Sequence, residues 1–160
     1  MWRKLFAGIE NTLHPLKIST REKSNLPELE RSCRFFGFTI RGYQPSFERR
    51  EISRQLALRD HFPAEQWQNH GFDVYLAEEI AFAFNTELDW PNHHFLPNDS
   101  TVLLFTLRID DFPSLNGLNA VQKRLHIRLE YRLVQDSYEY DWPFMTLVRR
   151  ILNAMKQEND

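Results

Sequence analysis

The stretch IDDFPSL, residues 109–115, gathers the side chains with which this chain could do chemistry. Ser114 offers a hydroxyl just ahead of a segment with helical spacing, where it could carry a covalent group. Serine is also a common helix N-cap, a role that needs only a hydrogen bond to the backbone. Asp110 and Asp111 could form an acid–base pair only if both turned toward one pocket. Otherwise their charge favours the start of the following helix.

Two other residue combinations carry weaker chemical signals. His93 and His94 are adjacent in an acidic loop, but adjacent side chains point in different directions and no HxxxH or CxxC spacing supports a metal site. Cys33 abuts RFFGF, which favours a buried apolar side chain over a nucleophile. Glycine-rich phosphate loops and hydrolase motifs do not occur. We therefore predict no catalytic residue, no metal and no enzymatic activity.

The composition predicts a folded protein without a polyanionic partner. Apolar residues make up 42% of the 160 positions, and 13 Phe against 5 Gly argue against disorder. The net charge of -2 gives no electrostatic footprint for nucleic acid. A single cysteine favours a reducing compartment, and we expect a cytoplasmic protein. Because no apolar run approaches about 20 residues, we expect no integral membrane segment.

Residues 1–72 are predicted to form an N-terminal extension. Residues 1–13 have the spacing of an amphipathic helix, which would either dock on the body of the protein or make a peripheral membrane contact. Residues 14–33 are predicted to be a linker or irregular arm, and the alternation over residues 34–43 suits a short strand or an extended segment. A helix is predicted over residues 47–60. Four arginines are assigned to its solvated face: Arg49, Arg50, Arg54 and Arg59.

Residues 73–160 are predicted to form a helical domain that opens on the segment VYLAEEIAFAFNTEL. Asp73 is its expected N-cap, and the proline of Asp89-Trp90-Pro91 should end the helix. Tyr75 and Phe82 lie seven apart on a second strip, which predicts that this helix is buried on more than one side.

The rest of this domain leaves two segments undecided between strand and helix. Residues 101–109 fit either a strand or a short helical turn. After IDDFPSL we expect a helix to Leu125 or Leu129, then an extended piece, and then a loop over residues 134–141, but residues 126–134 fit either a strand or a helix. A final helix is predicted from the segment WPFMTLVRRILNAM. Its inward-facing residues should be Phe144, Leu147, Val148, Ile151 and Met155.

Over residues 73–155, the order of these pieces resembles the acyl carrier protein family. A long helix ends in L-D-W, a loop reads F-L-P-N-D-S, IDDFPSL precedes a second helix, and a last helix contains M-T-L-V-R-R-I. The resemblance implies a mainly α fold with three main helices and one short one, preceded by the N-terminal extension and one or two short strands. An α+β fold is the alternative.

In that family, the serine of a D-S-L motif carries a phosphopantetheine arm at a helix start, where backbone N–H groups favour a phosphate. The resemblance makes Ser114 the candidate attachment site. Pro113 stands where the family has aspartate, and the other alignment, on LRIDD, puts Asp111 in the place of the serine. The second helix is also basic, whereas carriers are usually acidic there.

From these departures we expect a degenerate carrier-like protein that acts through a protein partner. It would be either a divergent carrier or a relative that has lost the prosthetic arm. An immunity or adaptor protein that blocks or docks a partner is the alternative, since mixed charge and a high aromatic content would suit it.

Overall fold

The described part of the chain is mainly α-helical, as predicted. The computed structural model describes residues 27–29, 33–35, 38–40, 45–105 and 112–158. Its helices are α1 (Pro45–Ala57), α2 (Ala64–Asn69), α3 (Val74–Leu88), α4 (Thr101–Phe105), α5 (Phe112–Leu125), α6 (Arg132–Glu139) and α7 (Phe144–Glu158). Two short strands, β1 (Cys33–Phe35) and β2 (Phe38–Ile40), precede them. The amphipathic helix expected over residues 1–13 lies outside the described residues.

The strands β1 and β2 form an antiparallel pair, with Cys33 opposite Ile40 and Phe35 opposite Phe38. The strand expected within residues 34–43 is thus divided in two, because the chain folds back on itself within that stretch. Pairing the two halves satisfies backbone N–H and C=O groups that a lone strand would leave to solvent.

Helix α3 forms as its sequence predicts. The Asp73 carboxylate accepts a hydrogen bond from Leu76 N at 3.1 Å, which satisfies one of the unpaired N–H groups of the first turn. The helix ends where Asp89 takes a left-handed conformation with φ 57°. Arg49 of α1 donates to the carbonyls of Leu88 and Asp89 at 3.1 and 3.2 Å. Arg49 thus caps the C-terminus of α3 instead of lying on a solvated face.

A cluster of aromatic rings fills the centre of the core. Phe144, the first residue of α7, has its ring 5.3 Å from that of Phe95 and 6.0 Å from that of Trp67, both edge to face. Trp67 is fully buried, and its indole N–H donates to the Phe95 carbonyl at 2.9 Å. Truncating such a buried ring to alanine generally costs about 3–5 kcal/mol. The predicted inward face of α7 is confirmed for its four buried members, Phe144, Leu147, Val148 and Ile151.

The core is continuous across the expected boundary at residues 72 and 73. Ile52 and Leu56 of α1 are fully buried in the same apolar cluster as Phe84 of α3 and Ile151 of α7. Helices α1 and α2 therefore contribute to the same core as the helices after residue 73.

The structure decides one choice that the sequence left open and overturns one prediction. Residues 101–105 are helical, because Ser100 accepts a hydrogen bond from Leu103 N at 3.2 Å and so starts a turn. The extended piece and the loop predicted over residues 134–141 are wrong where α6 forms. Val134 and Ser137 of α6 are buried, so packing of one helical face outweighs the alternating pattern that precedes them.

Candidate functional site

Ser114 is the third residue of α5 and is partly exposed. The helix begins at Phe112, so Ser114 lies inside the first turn and not at the N-cap position before it. The prediction that Ser114 is the N-cap is therefore wrong. Pro113 is buried in the same turn, where a missing N–H leaves no helical hydrogen bond unmade. Asp110 and Asp111 lie outside the described residues.

The most polar part of the described interior is a buried ion pair between the segment after α1 and the loop after α3. Arg59 Nη1 lies 2.5 Å from Asp99 Oδ2 and Arg59 Nη2 lies 2.9 Å from Asp99 Oδ1, which makes a bidentate pair. Arg59 is 3% exposed and Asp99 is fully buried. The sequence had assigned Arg59 to the solvated face of a helix, and this assignment is wrong.

Backbone groups from three parts of the chain complete the shell around the pair. Asp99 accepts from Leu29 N at 3.0 Å and from Leu96 N at 2.7 Å. The guanidinium of Arg59 also donates to the carbonyls of Pro27 and His94, each at 3.0 Å. A buried charge pair is tolerated when its remaining hydrogen-bonding capacity is used. The pair therefore anchors the chain at 27–29 to the helical body and has a structural role.

The adjacent histidines face different partners, as expected from their spacing. His93 Nε2 lies 3.4 Å from Glu78 Oε1, and its ring packs edge-on against Phe82. His94 Nδ1 lies 2.6 Å from the carbonyl of Arg59. Within residues 45–105, 112–158 and the short described stretches before them, no three metal-ligating side chains form a group that could hold an ion.

The second strip of α3 is exposed, and the prediction that it is buried is wrong. Tyr75 is 68% exposed and Phe82 is 39% exposed. The opposite face, with Ala77, Ile80 and Phe84, packs into the core and leaves this strip outside. Two large aromatic side chains seven residues apart therefore project from one helix surface.

Arg124 of α5 lies across this strip and is held in place by two contacts. Its guanidinium stacks over the ring of Phe82, 4.8 Å from the centroid, and it makes a two-pronged ion pair with Glu79, in which Nη2 is 3.0 Å from Oε1. The hydrogen bond to Glu79 is the main cause that raises the pKa of Arg124, and nearby Tyr75 acts in the same direction. We call Tyr75, Glu79, Phe82 and Arg124 the α3–α5 face.

The α3–α5 face has the composition of a protein contact surface. Tyrosine and arginine are the residue types that most often dominate binding energy in protein interfaces. In the sequence, this face was indicated only by the pair Tyr75 and Phe82 at helical spacing. The sequence of α3 alone does not reveal which of its two apolar strips faces the core. The sequence could not have added Arg124 to this pair, because Arg124 belongs to another helix and lies 45 residues after Glu79 along the chain.

No family model, curated protein or solved structure matches this chain. Among the described residues, no helix combines the length and apolar character that crossing a membrane would require.

Proposed function

We propose that this chain is a non-enzymatic cytoplasmic protein whose degenerate acyl-carrier-like helical domain binds a partner protein. The α3–α5 face is the observation that carries the proposal. It exposes Tyr75 and Phe82 beside a guanidinium that is held by Phe82 and Glu79. Aromatic rings left at a surface beside arginine are typical of residues that a partner covers.

The order of helices supports the carrier-like part of the proposal. Helices α3, α5 and α7 have 15, 14 and 15 residues, and the short α6 of 8 residues stands between the last two. The resemblance implies three main helices with one short helix, and this domain has a second short helix, α4, between α3 and α5. The first two main helices are in contact, since Gly117 of α5 lies against Phe84 of α3.

A capture experiment with matched variants tests the proposed binding function. The chain is immobilised in three forms, namely wild type, Tyr75→Ser with Phe82→Ser, and Tyr140→Ser. Tyr140 is 66% exposed at the end of α6, so its substitution removes a comparable exposed ring elsewhere. We expect a protein from the native host that binds the wild type and the Tyr140 variant but not the double variant. Equal retention by all three forms would refute a role for this face.

The identity of that protein separates two kinds of binding module. An enzyme or toxin whose activity falls on stoichiometric addition of the chain indicates an immunity function. A partner whose activity is unchanged, and which joins a larger assembly, indicates an adaptor or carrier-like function.

A divergent carrier is the second candidate, and the partial exposure of Ser114 in the first turn of α5 favours it. Its test is the intact mass of the chain after co-expression with a phosphopantetheinyl transferase. A mass gain of one phosphopantetheine that is lost in Ser114→Ala would establish the carrier. With Pro113 before the serine, where the family has aspartate, we expect no gain, which would leave a relative without the prosthetic arm.

A further inference from the structure

We propose that the α3–α5 face binds an acidic protein segment, with a carboxylate of the partner paired to Arg124 and its apolar side chains against Tyr75 and Phe82. This inference rests on the proposed binding function and adds the chemistry of the partner.

Arg124 is preorganised for such a contact. An exposed arginine normally loses side-chain entropy when a partner fixes it, which reduces affinity. Here the stack on Phe82 and the pair with Glu79 already restrict the side chain, which still has 42% of its surface exposed. Binding therefore requires little further ordering of this guanidinium.

The guanidinium also keeps hydrogen-bonding capacity for a second carboxylate. It has five N–H donors in a planar fork, and Glu79 engages its Nε and Nη2 atoms. The Nη1 donors are not used by Glu79. Bidentate and shared carboxylate contacts are the geometry that distinguishes arginine from lysine.

The charge around Arg124 favours an acidic partner. The segment KRLHIRLEYR, residues 123–132, has four basic side chains and one carboxylate in a chain whose net charge is -2. Lys123, Arg128 and Arg132 are exposed along with Arg124, and of these Arg132 lies 3.6 Å from the carboxylate of Asp136. Cations in the last turn of α5 also suit the helix dipole, but the dipole does not account for the stack of Arg124 on an exposed ring.

The carboxylate of Glu79 favours a protein segment over a denser polyanion as the partner of this face. Its carboxylate lies within the face and repels closely spaced phosphates, as in nucleic acid or an anionic lipid surface. A polypeptide can instead place one carboxylate at Arg124 and apolar side chains at the neighbouring rings. The observations therefore favour an acidic amphipathic segment.

The test uses the full chain and two synthetic amphipathic peptides with identical apolar positions. Each carries one charged residue among otherwise uncharged polar positions, a glutamate in one peptide and a lysine in the other. We expect the glutamate peptide to bind at least about tenfold more tightly, a difference equivalent to about 1.4 kcal/mol. In ¹⁵N-labelled chain, the peptide should shift the amide signals of α3 around Tyr75 and Phe82 and those of α5 around Arg124. Vesicles containing phosphatidylserine should bind more weakly than this peptide.

Arg124→Glu should weaken glutamate-peptide binding about tenfold or more, because it reverses the anchoring charge. Arg149→Glu is the matched control, since Arg149 of α7 is also an exposed arginine over a phenylalanine ring, 5.1 Å from the centroid of Phe72. The affinity of the Arg149→Glu variant for the glutamate peptide should stay within about twofold of the wild-type affinity. Equal effects of the two variants, equal binding of the two peptides, preferred binding of vesicles, or shifts confined to other helices would overturn the inference. Should any of these occur while Tyr75→Ser with Phe82→Ser still loses the captured protein, the binding function stands and only the acidic partner fails.

Discussion

Gly117 of α5 lies directly against the ring of Phe84 of α3. A Cβ atom on Gly117 would be 2.6 Å from Cδ1 of Phe84 and 3.4 Å from its Cα. Phe84 is fully buried, and its ring is also packed against those of Phe105 and Phe144. The ring has no open space to enter, so the absence of a side chain at Gly117 sets how closely these two helices approach.

Gly117→Ala should therefore destabilise the protein by about 1–3 kcal/mol, as overpacking of a core generally does. This loss should exceed the gain of about 1 kcal/mol that alanine brings to a helix interior. The neighbouring Asn116 is exposed and gives the control, because Asn116→Ala should raise the free energy of unfolding by about 0.5 kcal/mol through propensity alone. Urea unfolding measures both, and two changes of the same sign would contradict the close packing.

Asp99→Asn should lower the free energy of unfolding by about 3–5 kcal/mol, because it leaves the Arg59 guanidinium buried without a counter-charge. The amide group would also meet the N–H groups of Leu29 and Leu96, which now donate to two carboxylate oxygens. Denaturant unfolding gives the magnitude. Faster exchange of the Leu29 amide proton would show that this segment is released first.

A surface ion pair provides the comparison for Asp99→Asn. Arg54 pairs with Glu51 at 2.7 Å on the outside of α1, with 62% of the arginine side chain exposed. Arg54→Met should leave the unfolding free energy nearly unchanged, since solvent screens such pairs. If the two substitutions have similar effects, the Arg59–Asp99 pair does not anchor the fold.

Local signals in the sequence predicted the parts of the fold that depend on neighbouring residues. Asp73 as a cap, Pro91 as a stop and the apolar spacing of the last helix each act within one or two turns. The start of α6 was missed because Leu129, Tyr131 and Leu133 alternate, and alternation predicts a strand in any sequence window. Tertiary packing of Val134 and Ser137 decided that segment.

The candidate site could be predicted only in part, because its members come from distant positions. Arg59 and Asp99 are 40 residues apart, and nothing near either one marks it as buried. Ser114 could be assigned to the start of a helix, but its position within the first turn depends on where that helix begins. The glycine inside the predicted second helix was a usable signal, since a glycine there is unfavourable unless packing requires it.

His126→Gly should stabilise the protein by about 1 kcal/mol. His126 ends α5 in a left-handed conformation with φ 54°, and the next residue, Ile127, donates its N–H to the carbonyl of Gln122 at 3.2 Å. Glycine adopts this conformation at helix ends without the steric cost of a Cβ. His70 is exposed at the end of α2 with φ -86°, so His70→Gly should not stabilise. Thermal unfolding distinguishes the two variants, and a loss of stability in His126→Gly would contradict the explanation.

The His94 ring makes stability depend on pH. Burial lowers the pKa of His94 below its ordinary value of 6.5, although the hydrogen bond to the Arg59 carbonyl opposes the shift. Since that carbonyl accepts, Nδ1 carries the proton in the neutral ring.

The unfolded chain therefore binds a proton at His94 more readily than the folded chain does. The contribution of His94 to the free energy of unfolding should be fully present above pH 6.5. It should fall as the pH drops below that value toward the pKa of His94 in the folded state. His94→Asn keeps an N–H donor for the Arg59 carbonyl and removes the titration, so its unfolding free energy should be flatter with pH. His70→Asn should keep the slope of the wild type. Urea unfolding between about pH 5.5 and about pH 8 stays above the range in which carboxylates titrate. A slope that survives in His94→Asn would assign the pH dependence to another group.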